Sequence, residues 1–122
     1  MTDRELLVLA AKTAGIKIEW KTCVAHPKAI HGCCFAKVGT YDYWNPLTDD
    51  GDALRLAVRL RLSIDHNHSA DQNRWVAADR NGCEGCYEPV SCVEDDFEEA
   101  QRNAATRRAI VRAAAEIGRE MK

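Results

Sequence analysis

The segment 44–60, WNPLTDDGDALRLAVRL, constrains the fold of this chain more than any other stretch. Pro46 disfavours helical backbone at Asn45, so the chain must arrive here extended. Thr48 or Asp49 then supplies a side-chain cap, and Asp49, Asp50 and Asp52 complement the positive end of a helix dipole. Leu54, Leu56, Ala57, Val58 and Leu60 predict a mostly buried helix over 49–60, with Arg55 and Arg59 one turn apart on its wet side. Such a helix has to be packed against something, and the remaining residues must supply the layer that covers it.

On the N-terminal side, Thr2 and Glu5 have the spacing of a capping box, Leu6, Leu7, Leu9, Ala10 and Ala14 follow at helical intervals, and Gly15 is placed to terminate a helix over 3–14. Residues 16–20 (IKIEW) alternate apolar and charged, the period of a half-buried strand. Residues 21–32 have no period and read as loop. Residues 33–44 are rich in β-formers, which predicts a second strand with a bend at Gly39.

On the C-terminal side, 60–68 and 74–78 read as a strand and its return, separated by turn residues. Residues 81–89 form a glycine-rich loop, 94–99 an acidic helix start, and the chain reads as helix from Phe97 onward, with a possible break at Asn103. Ile110, Ala113 or Ala114, Ile117 and Met121 form the apolar stripe of that helix. The expected class is α+β, a small antiparallel or mixed sheet covered by three helices as an α/β/α sandwich.

At 122 residues the chain is expected to be one domain with its own core. Its 17 basic and 19 acidic side chains leave a net charge of -2, which argues against a dedicated nucleic-acid binder. No apolar run approaches the roughly 20 residues of a membrane span. The opening residues lack the pattern of a secretory leader, so a cytoplasmic setting with reduced thiols is expected. In that setting six cysteines point to metal, reactive thiols or small buried side chains before disulfides.

Three blocks resemble a known family. Residues 44–60, residues 104–121 (AATRRAIVRAAAEIGREM) and the opening TDRELLVLAAKTAGI with its strand IKIEW look like the small phage and prophage proteins of the phage ABA-sandwich domain family. Together they cover roughly half of the chain and all three expected helices. The resemblance implies a sheet with helices on both faces, and a protein encoded by a bacteriophage or prophage and working in the bacterial host cytoplasm. It implies no particular activity. The loops at about 21–43 and 66–93 depart from the family and hold all the cysteines and histidines, so a metal site has to be argued from the residues alone.

Five constellations bear on potential chemistry. Cys83 and Cys86, in a glycine-rich turn, have the spacing of half a zinc knuckle; His66 and His68, or Cys92, or Cys33 and Cys34 would complete the set around one structural zinc. Asp65, His66 and His68 followed by Cys83 and Cys86 resemble, in part, a metal-dependent His/Cys nuclease, without its upstream cysteine pair. A thioredoxin-like role for the cysteine pair is disfavoured because Tyr87, Glu88 and Pro89 do not open a helix. Arg108 and Arg112, one turn apart, would present guanidinium forks to an anion unless nearby acids neutralise them. The aromatic corner of Tyr43, Trp44 and Asn45 beside a helix N-terminus would hold a planar base or phosphate, or else anchor the corner in the core.

No motif specifies a reaction. The expected function is therefore binding: a phage-encoded accessory protein that inhibits a bacterial host-defence component, either as an anti-CRISPR-like inhibitor docking on a host protein complex or by sequestering a nucleotide-like signal. A metal-dependent nuclease and a zinc-stabilised nucleic-acid-binding module are the alternatives.

Overall fold

A computed structural model describes residues 1–23, 25–30, 32–81 and 89–121. The first helix, α1 (Asp3–Ala14), begins where the Glu5 amide donates to Thr2 Oγ1 at 3.1 Å and ends at Gly15, whose φ of 71° is left-handed. The Ile16 amide still donates to the Ala11 carbonyl, so Ile16 belongs to the helix terminator. That is why strand β1 covers Ile18–Thr22, two residues later than its alternation suggests.

Strand β2 (Cys33–Lys37) pairs antiparallel with β1, with Trp20 opposite Phe35 and their ring centroids 4.2 Å apart. Gly39, at φ 79°, reverses the chain rather than bending one long strand. The segment after it folds back on β2: Ala36 bridges to Tyr43, and the Trp44 amide donates to the Phe35 carbonyl at 2.8 Å. Helix α2 (Asp50–Leu60) follows, with Asp49 as its cap, accepting from the Asp52 amide at 2.8 Å. Two residues expected in its apolar face are not buried: Leu54 is 64% exposed and Val58 67%. The covered face is centred on Asp52, Ala53, Leu56, Ala57 and Leu60, and Leu54 and Val58 lie outside that arc.

The second sheet is antiparallel, in the order β3 (Ser63–His66), β4 (Trp75–Arg80), β5 (Val90–Asp95). β5 has no counterpart in the sequence reading. Its burial alternates, with Cys92 covered and Val93 46% exposed, but a valine on the outer face hides that period in the sequence, and the strand runs into acids that look like a helix start. Glu94 and Asp95 therefore end a strand, and Asp96 at φ 56° turns the chain out of it. The last helix, α3 (Arg102–Glu120), begins later than Phe97 and is preceded by a 3-10 turn at Glu99–Gln101, leaving Ala100 and Ala104 exposed and Asn103 inside the helix.

α3 is the central post of the fold, packing on β4 and β5 and against both α1 and α2. Its buried Ala109, Val111, Ala113, Ala114, Ala115 and Gly118 are small enough to let backbones come close. A Cβ at Gly118 would lie 2.5 Å from the Leu9 carbonyl oxygen and 2.6 Å from Thr13 Oγ1. Thr13 Oγ1 reaches across to the Ala114 carbonyl at 2.7 Å, satisfying a polar group at that contact. The fold is α+β, with three helices and two small antiparallel sheets among the described residues. Among the described residues no helix is long and apolar enough to cross a membrane.

Candidate functional site

The most closely tied group of charges lies under the corner that opens α2. Asp52 is 4% exposed, and its carboxylate accepts from the Asn45 amide at 2.9 Å, Lys28 Nζ at 2.9 Å and Arg55 Nη2 at 2.8 Å. Burial pushes the Asp52 carboxyl up, but the Asn45 amide and the Lys28 and Arg55 cations outweigh it and hold the group below the usual aspartate range. Lys28 Nζ also donates to the Tyr43 carbonyl at 2.9 Å, and the Lys28 carbonyl accepts from Asn45 Nδ2 at 2.9 Å. The loop after β1 is thereby tied to the start of α2. Asn45 is 1% exposed, and its remaining side-chain oxygen accepts from the Leu47 amide. Its amide group is thus occupied with holding the corner.

A disulfide between Cys23 and Cys34, with Cα atoms 5.9 Å apart, closes the loop that carries Lys28. This departs from the expectation of reduced thiols, and it leaves no thiolate at Cys34 for a metal. His26 in the same loop meets the Tyr43 ring edge-on, with centroids 4.5 Å apart.

Beside this cluster is a cavity of about 350 Å³. Ala14, Ile16, Trp44 and Leu56 form its apolar part, and Lys28, Lys37, Arg55, Arg59, Asp42, Asp52 and Tyr43 supply its polar groups. Four cations thus face two carboxylates. Lys28 and Arg55 are bound to Asp52, and Lys37 Nζ lies 3.0 Å from Asp42. Arg59 differs, because among the described residues no carboxylate lies within ion-pair distance of it. Its Nη2 lies over Gly15, 3.3 Å from where a Cβ there would sit, next to the carbonyl end of α1. Apolar surface, a half-buried phenol and a guanidinium without a carboxylate partner among the described residues suit a ligand with one planar part and one anionic part. Of the sequence candidates, Tyr43 and Trp44 line this cavity.

The α3 arginines are placed otherwise. Arg108 Nη2 is 2.9 Å from Asp3 Oδ1, joining α3 to α1. Arg112 pairs with Glu94 and donates to the Val93 carbonyl at 2.9 Å, joining α3 to β5. Arg107 binds Asp50 and the Leu47 carbonyl, and Arg102 binds Glu99, whose carboxyl is held below its usual range by that hydrogen bond.

The candidate metal ligands among the described residues have other partners or surroundings. His66 Nδ1 lies 3.0 Å from Arg102 Nη1, and His68 Nδ1 accepts from the Ala70 amide at 3.1 Å. Cys92 is buried in β5 opposite Ala78, and burial pushes its thiol up, away from the thiolate a metal needs. Cys33 is a free, half-buried thiol. Cys83 and Cys86 lie outside the described residues, and among the described ones no group of three or more His, Cys, Asp or Glu side chains gathers to hold an ion.

The sequence reading missed the pairing of Asp52 with Lys28. A signal was present: Asp52, Leu56 and Leu60 recur every four residues, so Asp52 belongs to the buried stripe of α2 and requires a cationic partner. Nothing local identifies that partner as Lys28. Compared with known proteins, the chain matches no family model, no curated protein and no solved structure.

Proposed function

We propose that this chain works by binding, and that its ligand site is the cavity at the α2 corner, taking a phosphate-bearing nucleotide. The observation that supports this reading is Arg59, an arginine without a carboxylate partner among the described residues, beside Tyr43 in a cavity with apolar walls. A phosphate on the Arg59 guanidinium would gain a charge-assisted hydrogen bond without first breaking an ion pair. The heterocycle would lie on the apolar side, toward Trp44 and Leu56.

In the setting that the phage ABA-sandwich resemblance suggests, such a protein sequesters a nucleotide signal of bacterial host defence in the host cytoplasm. The competing mode is docking of the loops at 21–43 and 66–93 on a host protein complex, and that mode requires no small ligand.

Calorimetry with cyclic dinucleotides, ADP-ribose and inorganic pyrophosphate tests the proposal. The expected result is heat with at least one nucleotide, and a loss of about tenfold or more in affinity for Arg59→Ala, equivalent to roughly 1.4 kcal/mol. Absence of heat with all three ligands overturns it, as does unchanged affinity in Arg59→Ala.

A further inference from the structure

The exposed side of α2 carries two large apolar side chains. Leu54 and Val58, 64% and 67% exposed, stand one turn apart and are bordered along the helix by Asp50 at one end and Arg61 at the other. At 100° per residue, Asp50, Leu54 and Val58 fall within about 80° of arc, so they form one stripe, and Arg61 follows at the end of the helix. The stripe is acidic at its start, apolar in its middle and basic at its end. Arg61 holds that end because it is the left-handed C-cap of α2, with φ 56°.

This pattern is self-complementary. Set two copies of α2 antiparallel across a two-fold axis that crosses the stripe midway between Leu54 and Val58, and Asp50 of each meets Arg61 of the other, while Leu54 of each meets Val58 of the other. We propose that α2 is the interface of a homodimer built in this way, the isologous arrangement in which one patch pairs with itself. Beside Leu54 lies an open hollow of about 380 Å³, in which Ala53, Ala57, Ile64 and Ile110 supply apolar surface beside the polar groups of α3 and His66, leaving room for a side chain from the second copy. Asp50 already contacts Arg107 Nη1 at 2.7 Å through Oδ1, yet its side chain is 72% exposed, so Oδ2 is accessible to Arg61 of the second copy.

The stripe lies on a different side of α2 from Asp52, Leu56 and Arg59, so the dimer does not depend on the nucleotide reading. The contact is small. An 11-residue helix is about 16 Å long, and a helix pair of that length falls below the roughly 1,200 Å² of standard interfaces. Association is therefore expected in the micromolar range and must be read against concentration.

Sedimentation equilibrium of the intact chain from about 1 µM to about 1 mM spans that range. The expected result is a rise from the protomer mass to twice that mass, lost in Leu54→Asp, whose exposed position leaves the thermal melt as in the parent. The sharper test uses charge reversal. Asp50→Arg alone and Arg61→Asp alone are each expected to stay monomeric, because both place like charges across the axis twice. An equimolar mixture of the two variants is expected to form a heterodimer, because every crossed pair is then opposite in charge. A protomer mass at every concentration overturns the proposal. So does a dimer that survives Leu54→Asp, or a mixture of the two charge variants that stays monomeric. If Asp50→Arg fails to fold, the Leu54→Asp result decides alone.

Discussion

The arginines of α2 and those of α3 look alike in the sequence and do opposite things in the fold. On α3, Arg102, Arg107, Arg108 and Arg112 each meet an acid brought in from another segment or from the preceding turn. They act as clamps, holding the central helix to α1, α2 and β5. On α2, Arg55 belongs to the buried Asp52 group, while Arg59 faces the corner cavity without such a partner among the described residues. The lesson concerns compensation more than arginine content. A guanidinium that already has its carboxylate offers an incoming anion little, because the existing pair must be broken first.

This contrast can be broken at several points. The largest effect is expected at Asp52. Its removal leaves Lys28 half-buried without its nearest carboxylate and the Asn45 amide without an acceptor, so Asp52→Ala should cost about 3–5 kcal/mol in urea unfolding. The same group sets an acid limit. Because the folded pKa is below that of an unfolded aspartate, its contribution is fully present above about pH 4 and is lost as pH falls through the lower, folded value. An unfolding midpoint that does not change between neutral pH and mild acid, and then stays flat under stronger acid, would contradict that account.

A smaller loss is expected at Gly118, where α3 leaves no room for a side chain against α1. An added methyl must push Leu9 and Thr13 away, so Gly118→Ala should cost about 1–3 kcal/mol despite the better helix propensity of alanine. A stabilised variant in a thermal melt would show that α1 yields more easily than the contact implies. The smallest effect belongs to the α3 clamps. Arg108→Ala and Arg112→Ala each remove an arginine whose side chain is 39% exposed, and each should cost less than about 1 kcal/mol. Neither should alter nucleotide heats, in contrast with Arg59→Ala. Equal loss of ligand affinity at Arg112 and Arg59 would erase the distinction between the two surfaces.

Much of the fold was legible because its signals are local. Thr2, Gly15 and Asp49 act within one turn of where they stand, so helix ends could be read directly. β5 was not legible, since a short strand held by pairing with β4 leaves little mark in its own residues. The corner of Tyr43, Trp44 and Asn45 was recognised as important, but the division of labour within it was not: Asn45 holds the chain while Tyr43 borders the cavity. Arg108 and Arg112 were selected for their spacing, and spacing on one helix carries no information about Asp3 or Glu94.

By itself the sequence determined the presence of α1, α2 and α3, the caps of α1 at Thr2 and Gly15, and the α+β class, because periodicity and capping are set by neighbours within a few residues. Only the tertiary structure decided which charges meet, that Cys23 and Cys34 bond, that Leu54 and Val58 face outward, and that Arg59 faces a cavity. Those outcomes depend on segments far apart in the chain, and burial and Coulomb energies act only after folding has brought them together.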